Sequence, residues 1–453
     1  MFQKKTVRYY YWLTVEFITK HAKLIFLSAL ISAIAVIGGI TVSPYVANLF
    51  ASQTTIIGMV GEYTVDQLPD EITTKISNGL VYVNDKGAIL PLLAAGWETS
   101  NNGRTYRFQI KKNLMWSDNK PFTVKDIVYR FRDVGIKTEG DYIIEFNLQK
   151  PLAIFPTLLN TPIIRYPTTG IGGLYRVERL KTKYDNITEI SLSPNKKDKP
   201  ALIYRFYPNE AQMIVAYKLG LLNQMVVSKK TTADTFLHWK NTVVERTIDY
   251  SRLLTVFFNY RNPQLAEKEM RNAIDSAIDR ARLAEMGTDT SSSIPPTSWA
   301  YNTNLKKKTY DMDYAKRIIR KFRSATDSAR LNLVTFYEYL DIADDIAQDL
   351  QDAGLPTTVS VSSYSNQGDF DLMLAYLKVP QDPDQYFYWH STQNFAKLTG
   401  YKNLRLDKLL EDGRSTNILA DRKKYYLEVQ KFMDDDNTAI FLHFPYIYTV
   451  KRK

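Results

Sequence analysis

From Leu24 to Val42 the chain runs LIFLSALISAIAVIGGITV without a charge, and the uncharged stretch continues through Thr55. About 20 apolar residues carry a helix across the hydrocarbon core of a bilayer, so this segment is long enough to span one. Ahead of it stand Lys4, Lys5, Arg8, Lys20 and Lys23 against the single acid Glu16. That excess of cations keeps the preceding side in the cytoplasm and puts the rest of the chain outside. The pattern predicts a basic cytoplasmic leader over 1–23, a transmembrane anchor over 24–42 and a short stalk with Pro44 over 43–54. A cleaved signal peptide is the alternative, but the leader and the apolar run are both long for one.

Beyond the stalk the hydrophobic pattern switches between short strands and amphipathic helices, which gives a mixed α/β (α+β) class. Thr55–Val60, Arg104–Ile110, Tyr142–Leu148, Gly173–Val177 and Leu202–Phe206 read as strands, and Lys125–Phe131 as a short helix. Met270, Ala273, Ile274, Ala277, Ile278 and Ala281 form a helical stripe between Gln264 and Gly287. Asp311 is placed to cap a helix carrying Ala315, Ile318, Ile319 and Phe322, with Arg320, Lys321 and Arg323 at its C-terminal end. Leu331–Phe336, Leu340–Leu350 and Thr358–Val361 follow in the order of a βαβ unit. Asp371–Tyr376 is almost continuously apolar, as an interior strand would be. A last helix over about Asp421–Met433 leads to a terminal strand, Ala439–Val450. No Gly/Ser-rich linker divides the region, so crossing strands are expected to join its parts.

Composition narrows the chemistry. The 453 residues allow two or three domains. Cysteine is absent, which removes disulfides, thiolate metal sites and thiol nucleophiles. The four histidines (His21, His238, His390, His443) are scattered. His390-Ser391 lacks a nucleophile motif such as G-x-S-x-G, so no enzyme is expected. Asp434-Asp435-Asp436 reads as a solvated helix end. The net charge of +11 carries no nucleic-acid signature. Of the aromatic residues, Trp97 and Trp116 read as packing residues.

Specific motifs now appear. Residues 90–131 read LPLLAAGWETSNNGRTYRFQIKKNLMWSDNKPFTVKDIVYRF. With Pro91, Leu93, Ala94, Trp97, Tyr106, Phe108, Trp116, Asp118, Pro121, Phe122, Thr123, Asp126 and Phe131, this resembles the signature of extracellular solute-binding protein family 5. That family comprises the oligopeptide-, dipeptide- and nickel-binding components of ABC importers. NYRNPQLAEKEMRNAIDSAIDRARL (259–283), IPP (294–296), YDMDYAKRII (310–319), FDLMLAYLKVPQDPDQYFY (370–388) and FLHFPYIYTV (441–450) resemble its later blocks, in the family's order.

The resemblance implies a two-lobed, periplasmic-binding-protein-like fold closing by a hinge on a ligand in the interlobe cleft. Lobe 1 would span 55–250, with a small inserted subdomain at about 76–165. Lobe 2 would span 251–437, and 438–453 would return to lobe 1. The implied partners are a peptide or other small solute, ABC permease subunits, and the membrane through the N-terminal helix. No cofactor and no metal are expected. A transporter-independent sensor or scaffold, or a binder of a non-peptide solute such as an oligosaccharide or metal chelate, is the alternative. Peptide binders of the family carry an aspartate three residues before a "DP" pair, where it meets the peptide's α-ammonium. Counting back from Asp382-Pro383, that position holds Val379, and Tyr376 replaces the loop tryptophan. The candidate ligand-binding residues are therefore Tyr376, Val379, Asp382, Asp384, Tyr386, Tyr388 and Trp389, with Asp382 also able to cap its own turn.

Overall fold

The computed structural model describes residues 3–50, 54–196, 198–322, 330–362 and 369–453, with the side chains of the first helix described from Arg8 to Gly38 except at positions 25 and 35. Arg323, assigned above to a helix end, lies outside the described residues, as do 51–53 of the expected stalk.

The first helix is Gln3–Phe50 and takes in the start of the segment read as a stalk. Among the described residues no single helix is long and apolar enough to cross a membrane. Arg8–Leu24 and Phe26–Gly38 meet the test only as a pair, bent by 54°. No single described helix therefore supports the anchor expected over 24–42, and the bend falls just after Lys23, at the start of that segment, where charge gives way to the apolar run.

One mixed sheet organises the rest. From one edge its strands are Thr357–Val361, Leu331–Thr335, Leu372–Lys378, Arg252–Phe258, Ala439–Arg452, Gln224–Val227, Thr54–Val60, Ala201–Tyr207, Asn186–Pro194 and Tyr175–Lys183. Thr242–Ile248 and Gly287–Asp289 also pair with the C-terminal strand Ala439–Arg452. The βαβ unit forms as read, with Leu331–Thr335 parallel to Thr357–Val361 across the helix Leu340–Asp352. Side chains alternate across the interior strands. Leu254, Val256, Phe258, Leu372 and Leu374 pack with the helix residues Met270, Ala273, Ile274 and Ala277. Leu253, Phe257, Met373 and Leu377 pack on the other face with Leu406, Leu410, Val429 and Met433. Both faces are dry, which is why these strands read as continuous apolar runs. Each such Leu or Phe contributes about 1.5–3 kcal/mol on burial.

A second, four-stranded antiparallel sheet holds Ala94–Ser100, Thr105–Ile110, Ile143–Leu148 and Val134–Glu139. It has its own aromatic core, with Phe108, Trp116, Phe146 and Phe155 almost fully buried, and Trp97 stacked on Phe108. Lys125–Phe131 is not a helix. After the single turn Val124–Asp126 the chain leaves helical geometry at Ile127 (φ −82°, ψ 111°), because Ile127, Tyr129 and Phe131 are needed in this core. The stripe from Gln264 is likewise three helices, Pro263–Ala266, Lys268–Ala277 and Arg280–Leu283, broken at the extended residues Glu267 and Ile278. Buried Arg271 makes the first break favourable. Its guanidinium donates to the carbonyls of Leu265 (3.1 Å), Ala266 (2.7 Å), Asp436 (2.7 Å) and Asn437 (3.1 Å), satisfying two helix ends at once. The acids 434–436 are accordingly not simply a solvated end. Asp436 pairs with Arg271 at 3.1 Å and Asp434 with Lys308 at 2.7 Å.

The two halves of the large sheet are joined twice. The chain crosses at Asp249–Ser251, between Thr242–Ile248 and Arg252–Phe258, and again within the C-terminal strand. There Ile440–His443 pair with Arg252–Phe258, while Tyr448–Lys451 pair with Gln224–Val227. The crossings touch, since the Asp249 amide donates to Pro445 O at 2.9 Å.

Candidate functional site

The predicted site residues leave the sheet beside these crossings. Leu372–Lys378 runs antiparallel to Arg252–Phe258, and the Val379 amide then donates to Ser251 O at 2.8 Å, tying the start of the loop to the first crossing. Asp249 fixes that crossing. It accepts from the Ser251 amide (3.0 Å) and hydroxyl (2.5 Å) and from Arg252 Nε (2.7 Å). Burial alone would push its carboxyl up, but these donors together hold it below the usual carboxylate range.

The candidates divide by environment. Val379 and Trp389 are core residues in the cluster with Leu253, Phe257 and Phe441. Trp389 Nε1 donates to Gln385 Oε1 at 3.0 Å. Tyr376 is half-buried, with its ring edge-on to Tyr339 (5.0 Å) and beneath the Arg252 guanidinium (5.3 Å); burial pushes its hydroxyl up to about 12. Tyr386 lies between the His390 ring and the Arg414 guanidinium, each 4.1 Å from it. Tyr388 donates its hydroxyl to Lys378 O at 2.8 Å.

Both loop acids are held by arginines of the same chain. Asp382 receives Arg422 Nη2 at 2.8 Å and Nη1 at 3.3 Å, and also caps its own turn by accepting the Asp384 amide at 3.0 Å. Asp384 pairs with Arg414 Nε at 3.1 Å and accepts the Tyr386 amide at 3.2 Å. Burial pushes the Asp384 carboxyl above the usual range, against the opposing pull of Arg414. Asp382, with both guanidinium nitrogens and an amide already on it, has little capacity left for a second cation.

Residues outside the predicted set connect this side of the molecule to the hairpin Val81–Val83/Ile89–Pro91 and to the segment 153–160, which share the aromatic core of the four-stranded sheet. Gln381 donates to Val83 O (3.3 Å) and accepts from Asn160 Nδ2 (3.2 Å). The Ala153 amide donates to Arg414 O at 3.0 Å. Trp299 lies against the turn at Gly87 (φ +75°), so closely that a Cβ there would sit 2.3 Å from the indole nitrogen. The Arg422 guanidinium covers the same indole at 5.3 Å. An Asp-Lys-Gly turn is legible in sequence, but a partner more than 200 residues further on is not. A polar recess of about 390 Å³ between Lys268, Asn272, Lys307, Tyr314 and Asp435 involves none of these groups.

Within this loop Ser391 and His390 are not paired with each other as nucleophile and base. Ser391 Oγ donates to Asp407 at 2.5 Å, whereas His390 Nε2 faces Glu411 at 3.3 Å. Among the described residues there is no group of three or more His, Asp or Glu side chains able to hold a metal ion. What the arrangement can do is bind: aromatic faces, paired charges and a chain crossing lie beside a contact with a separate sheet.

Comparison with known proteins agrees. The profile of bacterial extracellular solute-binding proteins, family 5, matches residues 88–397. The chain belongs to this family. The oligopeptide-binding protein AppA of Bacillus subtilis is 23% identical over 86% of each chain. The dipeptide-binding protein of Lactococcus lactis is 24% identical over 72% of each. Among solved structures, the protein AppA from Clostridium difficile superposes with a TM-score of 0.74 at 16% identity, covering 88% of this chain and 95% of that one. NikZ from Campylobacter jejuni, in complex with Ni(L-His), gives 0.71 at 18% over 88% and 94%. The fold is therefore the mixed α/β, periplasmic-binding-protein-like one. As a family 5 protein the chain is a substrate-binding component of the kind that serves ABC importers, and the family is one of binders rather than enzymes.

Proposed function

We propose that this protein captures a peptide outside the cytoplasm, in the cleft between two lobes that hinge at Asp249–Ser251 and within the C-terminal strand, and delivers it to an ABC permease. In this reading 55–250 and 438–453 form one lobe, 251–437 the other, and the helix containing 24–42 holds the protein at the membrane. The observation that carries it is the loop 379–390, which starts at one crossing and reaches the strand Val81–Val83 and Asn160 through Gln381, while the helix Leu404–Ser415 beside it meets Ala153 through the carbonyl of Arg414. Tyr376, Tyr386 and Tyr388 would supply flat faces and polar edges to the ligand. Val379 and Trp389 would support the loop from the core.

The pairing of Asp382 with Arg422 and of Asp384 with Arg414 favours a ligand not held by an ammonium group, and this keeps a non-peptide solute as the second reading. Calorimetry with one peptide series, free and N-acetylated, tests the point. Acetylation should change Kd by less than about twofold. A loss of tenfold or more, about 1.4 kcal/mol, would mean that an acid leaves its arginine to take the amine.

A further inference from the structure

We propose that residues 8–24 form a helix lying in the plane of the membrane surface and bound to anionic lipid headgroups, the crossing itself being made by the chain after the bend. This rests on the reading that the N-terminal helix meets a membrane, and adds what the leader does there.

Four observations converge. First, the helix divides at the bend into Arg8–Leu24 and Phe26–Gly38, 54° apart. It continues beyond Gly38 to Phe50, and the sequence stays uncharged through Thr55. At ~1.5 Å per residue the stretch from Phe26 to Phe50 reaches about 37 Å, more than the ~30 Å hydrocarbon core. The span does not need the residues before the bend. Second, those residues do not suit a span, because Arg8, Glu16, Lys20 and Lys23 fall within them, and charges at bilayer depth are costly.

Third, the segment has two faces. At ~100° per residue, Glu16, Thr19, Lys20 and Lys23 share an arc of about 100°. Tyr10, Tyr11, Phe17 and Ile18 lie across from it, and all four are exposed, by 51% to 63%. The polar groups on that second side are accommodated within the helix. Thr14 donates its hydroxyl to Tyr10 O, and the His21 ring lies 4.9 Å from Phe17. Tyr9 and Trp12 fall on the polar arc itself, Tyr9 between Lys20 and Lys23 and Trp12 between Thr19 and Lys23, where amphipathic rings meet headgroups. Fourth, Lys4, Lys5, Arg8, Lys20 and Lys23 against Glu16 give the leader a strong positive excess. An apolar face with a cationic edge matches an anionic bilayer surface, into which the rings sink while the lysines reach phosphate.

The absence of cysteine makes the test clean, since single-cysteine variants of the full-length chain take one spin label each. Labels at Tyr10→Cys, Ile18→Cys, Thr19→Cys and Lys23→Cys would be read in vesicles with and without phosphatidylglycerol, by collision with oxygen and with a water-soluble nickel chelate. The expected result is oxygen-rich, water-shielded labels at 10 and 18 and water-accessible labels at 19 and 23, with a several-fold contrast between neighbours 18 and 19. That contrast should weaken without phosphatidylglycerol and in the triple variant Arg8→Gln, Lys20→Gln, Lys23→Gln. Equal water access at all four sites, a steady increase in depth from 10 to 23, or a contrast indifferent to lipid charge would each overturn the proposal. Alkaline carbonate extraction of the same vesicles reports separately on the anchor. Release of the chain there would overturn the membrane-spanning reading, while the label pattern still decides the fate of the leader.

Discussion

His443 shows how much one buried side chain can carry. It sits in the C-terminal strand, almost fully buried beside Gly287, and neither ring nitrogen has a hydrogen-bond partner among the described residues. Burial, reinforced by the nearby Arg280 guanidinium, pushes its pKa down to about 4. The folded state keeps the ring neutral while the unfolded chain protonates it near the ordinary value of 6.5. The stability this supplies is complete above pH 6.5 and is lost as pH falls through that window towards 4, at about 1.4 kcal/mol per pH unit. Denaturant midpoints between pH 7 and 4 should show this slope, and His443→Leu should remove it; an unchanged slope would mean that the protonated ring finds a partner. The sequence showed the histidine but not its isolation, because burial is a property of the packed strand. The two loop aspartates teach the converse. Their candidacy was legible from the Asp-Pro pair, but Arg414 and Arg422, which occupy them, come from helices 30 to 40 residues away.

Among the elements, the C-terminal strand Ala439–Arg452 matters most, since it pairs with Arg252–Phe258, Gln224–Val227, Thr242–Ile248 and Gly287–Asp289. The last of these shows how tight the pairing is. A Cβ on Gly287 would lie 2.3 Å from both the His443 ring and the Phe444 carbonyl oxygen. Backbone cannot yield as a long side chain can, so Gly287→Ala should destabilise the protein by about 1–3 kcal/mol, measured as a lower melting temperature with the fold retained. No change in melting temperature would show that the short strand can shift without penalty. Interior strands were easy to read, because burial on both faces leaves a continuous apolar run. The stripe from Gln264 reads as one helical run because its periodicity survives two breaks. What favours the first break is Arg271, whose bonds to the carbonyls of Asp436 and Asn437, 165 and 166 residues on, periodicity does not contain.

At the scale of the whole molecule, the proposed closure turns on the contact between Trp299 and the Gly87 turn. Asparagine tolerates positive φ, so Gly87→Asn keeps the turn and adds a side chain whose Cβ already collides with the indole. Spin labels at Lys137→Cys and Arg317→Cys should then show a shift to longer distances relative to the parent chain. An unchanged distance distribution would show that this contact does not hold the small sheet against the second half.

The sequence by itself determined the mixed class, the order of the interior strands along the chain, the basic and apolar character of the N-terminal helix, and the family. Each depends on local periodicity, charge or motif spacing, which a linear chain displays directly. Only the tertiary structure decided that Val379 and Trp389 are core, that Asp382 and Asp384 are paired, that the N-terminal helix bends, and that Trp299 meets Gly87. These depend on which distant groups share a low-dielectric interior, and there each charge must find a partner and each void must be filled.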